Sequence, residues 1–257
     1  MEELARLSDV EQAAAGHGQV IWAAQGQGGE GLGPGVRAWR HGAALAVASP
    51  SRQQDRLVVQ GDGADAVALV RRVLAEVGAS YRVLGEAELV DGLVRQVPGL
   101  VPVHHFFWME TTSSPGAAAI EGVRWLDAGE EKGTASLFDR FFPDSYAQPG
   151  RTGVRRWAGV VGETDGSGGA EPLAVAADAW SATGCGFMGG VLTHPSARGR
   201  GLARAVSAFV LDDLVARYGR AALMVLTGNA PAIATYEGLG MVGRRCGAAQ
   251  IPALRAA

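Results

Sequence analysis

The chain has 257 residues, 47% of them hydrophobic and 19% charged, with a formal net charge of −3. That is enough for one large or two small globular domains, and the charge balance gives no general attraction to nucleic acid or to an anionic membrane surface. No apolar run reaches the ~20 residues that span a bilayer. Met1–Gln19 lacks the order of a signal peptide, and Cys185 and Cys246 alone build no disulfide framework, so a reduced, cytoplasmic protein is expected.

Residues 2–14 read as a short N-terminal helix, and the glycine-rich 25–35 as a loop. Short strands follow over 36–40, 43–48 and 56–60, the first two joined by a tight turn at His41-Gly42. Between Ala64 and Val77 the apolar residues Val67, Val70, Leu74 and Val77 recur every three or four positions, which predicts a helix; Gly78 ends it. A strand over 81–84, a helix over 86–97 and a strand over 101–110 come next, the last containing His104-His105-Phe106-Phe107-Trp108. Thr111-Thr112-Ser113-Ser114-Pro115-Gly116 has linker composition and divides the chain into 1–115 and 116–257.

Beyond it, the pattern predicts a strand over 122–126, a helix over 128–142, and strands over 154–161 and 173–180 joined by a polar loop over 162–169. A strand over 186–193 leads into the stretch that carries the chemistry, Val191-Leu192-Thr193-His194-Pro195-Ser196-Ala197-Arg198-Gly199-Arg200-Gly201-Leu202-Ala203-Arg204. A helix follows, with Leu202, Val206, Phe209, Val210 and Leu214 along one face; strands over 221–226 and 243–250 close the chain. A strand, a glycine loop and a helix in that order make an anion site, because the first N–H groups of the helix have no partner within it and sit at the positive end of its dipole. Gly199 and Gly201 allow close backbone approach, and Arg198, Arg200 and Arg204 add charge, so a pyrophosphate suits the loop. The lysine of a P-loop is missing, and Arg204 occupies the last glycine slot of a dinucleotide fingerprint.

What the loop resembles is the coenzyme A signature of the GNAT superfamily of N-acetyltransferases, [Q/R]-x-x-G-x-[G/A], here Arg198-x-x-Gly201-x-Ala203. A second block, Asn229-x-x-Ala232-x-x-x-Tyr236-x-x-x-Gly240-Met241, resembles the last helix of that family and stands in its order and separation. The resemblance implies an α/β fold, a GNAT-type mixed twisted sheet flanked by helices, with a smaller α/β N-terminal domain. Residues 1–115 resemble a degenerate GNAT-like half. There Gly61-Asp62-Gly63-Ala64-Asp65-Ala66 stands where a phosphate loop would be, with two acids and no arginine.

The resemblance also implies a function: transfer of the acetyl group of acetyl-CoA to an amine. The rival reading is a coenzyme A-binding sensor or interaction module without turnover. By the family pattern, the backbone of Val191, Leu192 and Thr193 pairs with the pantetheine arm, and one of their N–H groups polarises the thioester. Arg198, Gly199, Arg200, Gly201, Leu202, Ala203 and Arg204 hold the pyrophosphate, and Asn229 caps the last helix beside the cofactor. Tyr236 matches the phenol that protonates the departing thiolate.

The bases familiar from the family are absent. The glutamate of histone-lysine acetylating relatives corresponds to Phe187, and that of N-terminal acetylating relatives to Met224. A small-molecule amine is therefore expected rather than a protein lysine. Asp178, next to Trp180 at a strand end, is the candidate proton acceptor or amine anchor, with Glu163 second. His104 and His105 lack a Cys or acid at ligand spacing, so no metal is expected and both read as structural. His194 reads as a surface residue of the loop.

Overall fold

In the computed structural model, residues 1–51, 53–116, 121–163 and 170–252 are described; the polar loop expected over 162–169 lies outside them from residue 164 onward. The chain begins with a strand, β1 (Glu2–Leu4), where a helix is expected from the sequence. Its backbone pairs with Ala38–Arg40, so helix α1 starts only at Leu7 (Leu7–Ala14) and stops at Ala15, which has φ 48°. Helix α2 (Gly18–Ala23) is absent from the sequence reading because it is buried all round, Gln19 included, and shows no amphipathic period.

Strands β2 (Arg37–His41), β3 (Ala44–Ser49) and β4 (Arg56–Gln60) follow. Then come α3 (Gly63–Val77), β5 (Arg82–Glu86), α4 (Ala87–Gln96) and β6 (Val101–Thr111). The second half runs β7 (Arg124–Trp125), α5 (Ala128–Phe141), β8 (Val154–Glu163), β9 (Ala170–Ala179) and β10 (Gly186–Thr193). It ends with α6 (Leu202–Tyr218), β11 (Ala221–Leu226), α7 (Ala230–Glu237) and β12 (Val242–Gln250). Local chemistry sets several ends. Asp127 and Glu130 form a reciprocal capping box on α5, Asp62 accepts the Ala64 N–H at the start of α3, and left-handed Gly219 ends α6.

Among the described residues, twelve strands form one sheet in the order β1-β2-β3-β4-β5-β12-β6-β11-β10-β9-β8-β7. Of the strand pairs among the described residues, only β4–β5 and β10–β11 are parallel. The segments β4-α3-β5-α4-β6 and β10-α6-β11-α7-β12 repeat one order, and their last strands change places: β6 lies between β12 and β11, and β12 between β5 and β6. The N-terminal stretch is thus no separate layer. Phe106 and Trp108 of β6 pack into one core with Phe187, Ala222 and Cys246 from the second half, while Met109, pointing the other way, packs with Leu211 and Leu223. A strand apolar on both faces needs cover on both, and the exchange supplies it. The face with α3, α4, α6 and α7 is opposite the one with α1, α2 and α5. Among the described residues, no helix is long and apolar enough to cross a membrane.

Candidate active site

The parallel pair β10–β11 is joined at Gly186–Ala221 and Phe187–Ala222 only. Past those residues the strands diverge, and a cavity of about 720 Å³ opens between them. Leu223, Val225, Met188 and Tyr236 reach it from the α6–α7 side of the sheet, and Leu84, Phe106 and Met224 from the α2 side, so the cavity passes through the sheet.

One wall is an irregular piece of β10. Gly189 pairs with Ala177 and Leu192 with Val175, three steps on β10 against two on β9, which is a β-bulge. Gly190 carries it at φ 62°. Side chains built on Gly189 and on Gly190 would both meet Ala147, so two successive residues face the same way. After the bulge the alternation is reversed, which sends Leu192 into the α5-side core, while Val191 and Thr193 line the cavity. The bulge leaves main chain at Gly190–Val191 outside the ladder with β9 and bordering the cavity.

The Arg/Gly loop connects β10 to α6. Gly199 and Gly201 both have φ 75°, in the region that disfavours side chains. No side chain caps α6, and among the described residues the backbone N–H groups from Gly199 to Arg204 have no acceptor. Arg198 and Ala203 line the cavity; Arg200 is exposed and does not line it. Arg204 differs from its expected role: its guanidinium donates to the Gly238 carbonyl at 2.9 Å, joining α6 to the end of α7. Leu202 is core. Asn229 caps α7, its side chain accepting the Ala232 N–H at 3.4 Å, and lines the cavity.

Tyr236 lines the cavity from α7. Burial pushes its phenol well above the usual tyrosine range, so it keeps its proton throughout the neutral range. Its hydroxyl has no hydrogen bond among the described residues, although it is not sealed from the cavity.

Asp178 is a correction. It is fully buried and does not line the cavity. One oxygen accepts from Ser181 Oγ at 2.6 Å, and that same Oγ accepts the Phe187 N–H at 2.8 Å. The other lies 3.6 Å from Arg156 Nε and 4.0 Å from Arg217. The carboxylate therefore pins the turn before β10 rather than meeting an acceptor. The reason is strand parity: Asp178 lies opposite Met188, on the α6 face, where Asp213 completes the ionic group. Glu163 is exposed at the far end of β8, away from the cavity. His194 is buried rather than at the surface, its ring edge-on to Phe141 and its Nδ1 against Ser196.

The sequence reading missed Arg56, Arg82, Asp144 and Tyr146, which line the cavity, and took His104, which also lines it, as purely structural. Burial, reinforced by Arg82 and His105, holds the His104 imidazole below the usual histidine range. Arg56 and Arg82 are ordinary strand-start residues in sequence; only the exchanged strands bring them to a cleft on the second half.

Comparisons with known proteins bear on this arrangement. The family described as FR47-like protein matches residues 168–245, less than half of the chain. No curated protein sequence matches. Among solved structures, a GCN5-related N-acetyltransferase from Kribbella flavida superposes with a TM-score of 0.59 at 19% identity, covering 94% of this chain and 95% of that one. A GCN5-related N-acetyltransferase from Sphaerobacter thermophilus gives 0.52 at 18%, covering 82% and 77%. A GNAT-family structure from Novosphingobium aromaticivorans gives 0.51 at 20%, covering 79% and 89%. At these identities the likeness shows the fold.

Proposed function

We propose that this chain, a GNAT superfamily member by its fold and motif blocks, is an N-acetyltransferase that passes the acetyl group of acetyl-CoA to the amine of a small-molecule acceptor. The observation that carries this reading is the diverging β10–β11 pair, with an uncapped helix N-terminus and Tyr236 both bordering its cleft. The residues fit an extended pantetheine–pyrophosphate ligand. The uncapped N–H groups from Gly199 to Arg204 suit the pyrophosphate, and the bulged main chain at Gly189–Val191 suits an added strand.

When bound, acetyl-CoA supplies an activated acetyl thioester. The chain's part is to orient and to manage charge. Backbone N–H at the bulge offers a fixed dipole to a carbonyl oxygen, in a cleft walled by Met188, Leu223 and Val225 where such a dipole is poorly screened. The Tyr236 hydroxyl holds a proton for a thiolate. Arg198 adds charge at the pyrophosphate end. Residues 1–115 and 116–257 are taken as two GNAT-like units. In the first, Asp62 caps its own helix and Asp65 accepts the Ala43 N–H, which puts acid where a phosphate would sit; that loop is proposed to hold no coenzyme. A cytoplasmic location goes with the reduced, buried Cys185 and Cys246.

Thiol release from acetyl-CoA, followed with a panel of small amines, tests the reading against a non-catalytic binding module. Gly201→Val is the companion variant. Its φ of 75° resists a β-branched side chain, so acetyl-CoA binding by calorimetry should vanish while circular dichroism is retained. Unchanged affinity would remove the loop from the site.

A further inference from the structure

The α2-side end of the cavity holds two arginines with no ion-pair partner among the described residues. Arg56 and Arg82 are direct neighbours across the parallel β4–β5 pair, and both line the cavity. Like charges so placed repel. Neither guanidinium has an ion-pair partner among the described residues; Arg82 donates to Gln250 Oε1 at 3.2 Å, and Arg56 makes no hydrogen bond. The nearest acid in sequence is already engaged, since Asp55 accepts from the Ser51 N–H at 2.9 Å and from Ser80 Oγ at 2.8 Å. Of the other charged groups at the cavity, Asp144 is exposed and forms no ion pair with either arginine, His104 faces the same end, and Arg198 belongs to the opposite one.

Arg56 is also held in place. Its Cζ lies 5.3 Å from the Trp22 ring centroid and 5.8 Å from that of Trp180. Those rings are fixed: Trp22 Nε1 donates to the Trp180 carbonyl at 2.9 Å, and Trp180 Nε1 to the Thr152 carbonyl at 3.1 Å. Trp180 has φ 55°, a strained value for a bulky residue that its neighbours must maintain. Burial lowers the pKa of Arg56, with Arg82 adding to the effect against Tyr146 and Asp55. A rigid, stacked, unpaired guanidinium beside a second one presents its fork to a planar anion.

We propose that the acceptor is an amino acid-type molecule, with a carboxylate held by Arg56 and Arg82 and its amine directed to the β10–β11 opening; this rests on the acetyl-transfer reading above. The apolar surround of Leu84, Phe106 and Met224 favours a singly charged carboxylate over a phosphate dianion, which is costlier to desolvate.

The test compares free L-amino acids, their carboxamides and phosphoethanolamine as acceptors by thiol release. The best free amino acid should exceed its carboxamide by ~10-fold or more in kcat/KM. Arg56→Gln should collapse that preference to within ~3-fold while the KM for acetyl-CoA stays within ~2-fold. If Arg56→Gln does not fold, Arg56→Lys, which keeps the charge and loses the fork, should show the same collapse. Carboxamides used equally well, phosphoethanolamine preferred over every amino acid, or a variant that changes only the KM for acetyl-CoA would each overturn the proposal. Should the wild type release no thiol with any acceptor, the acetyl-transfer reading fails. The anion site is then decided by calorimetry of amino acids into the coenzyme A-loaded protein: heat lost in Arg56→Gln supports it, and no heat in the wild type overturns it.

Discussion

Gly190→Ala tests the bulge on which the cavity wall depends. Alanine there must take φ 62°, which costs ~1–2 kcal/mol for an L-residue. Its Cβ would lie 2.5 Å from Trp157 Cη2, 2.9 Å from Cζ3 and 3.2 Å from the Ala147 Cβ. Trp157 is 1% exposed and packs against Phe138 at 5.1 Å, so it has little room to retreat, and overpacking adds ~1–3 kcal/mol. The variant should therefore lose ~2–5 kcal/mol in urea unfolding, a large part of an ordinary domain's stability. At temperatures where it is still folded, thiol release should fall as well, because relief of the clash moves the main chain at Gly190–Val191. Trp157→Phe vacates the positions of Cη2 and Cζ3, and it also removes a buried indole N–H that has no partner among the described residues. Gly190→Ala with Trp157→Phe should then be more stable than the two single losses predict, by at least ~1 kcal/mol. Additive losses would mean that the tryptophan does not set the bulge, and the account of this wall would fall.

Tyr236→Phe removes a hydroxyl with no hydrogen bond among the described residues, so thermal stability should hardly change, while turnover drops ~10²-fold with acetyl-CoA affinity kept; undiminished turnover makes the residue packing. Asp178→Asn should lower Tm, since it weakens a buried group bound to Ser181 and faced by Arg156 and Arg217, yet leave acceptor kcat/KM within ~2-fold; a selective loss of acceptor kinetics would restore it as a site residue. His17 is buried and its pKa is pushed down to about 4, first by burial and then by Arg244. The unfolded chain binds this proton more readily, so the stability it contributes is complete above its ordinary 6.5 and is lost as pH falls from there to about 4, up to ~3 kcal/mol. Urea unfolding at pH 7 and pH 4.5 should show that much less acid sensitivity in His17→Asn than in the wild type; equal sensitivity in both would refute it.

What the sequence determined by itself was local. The period of 64–77 marks a helix because that segment buries one stripe and exposes another, whereas 202–218, buried over most of its surface, is legible as a helix from its long apolar run after a glycine loop. The bounds of β10 and β11 are as read, because a glycine loop, a proline or a charged turn ends each apolar run. The Arg198–Arg204 loop and the Asn229–Tyr236 helix are legible as motif blocks through their contiguous spacing, and Tyr236, Asn229 and Arg198 line one cleft.

Only the tertiary structure decided which residues share that cleft. Helix α2 has no period to read because it is buried on every side. The bulge was hidden because Gly189-Gly190 reads as ordinary strand glycine until β9 supplies the register that shows an extra residue. Asp178 reads as an acceptor-site acid at a strand end, but parity turns it to the α6 face, where Ser181 and two arginines hold it. Arg56 and Arg82 stand far from the motif blocks in sequence. The exchange of β6 and β12 makes one sheet of the two halves and brings both arginines to the cavity. Pairing of distant strands is a property of the whole folded chain, since any apolar strand can satisfy its edges in more than one way until its neighbours are chosen.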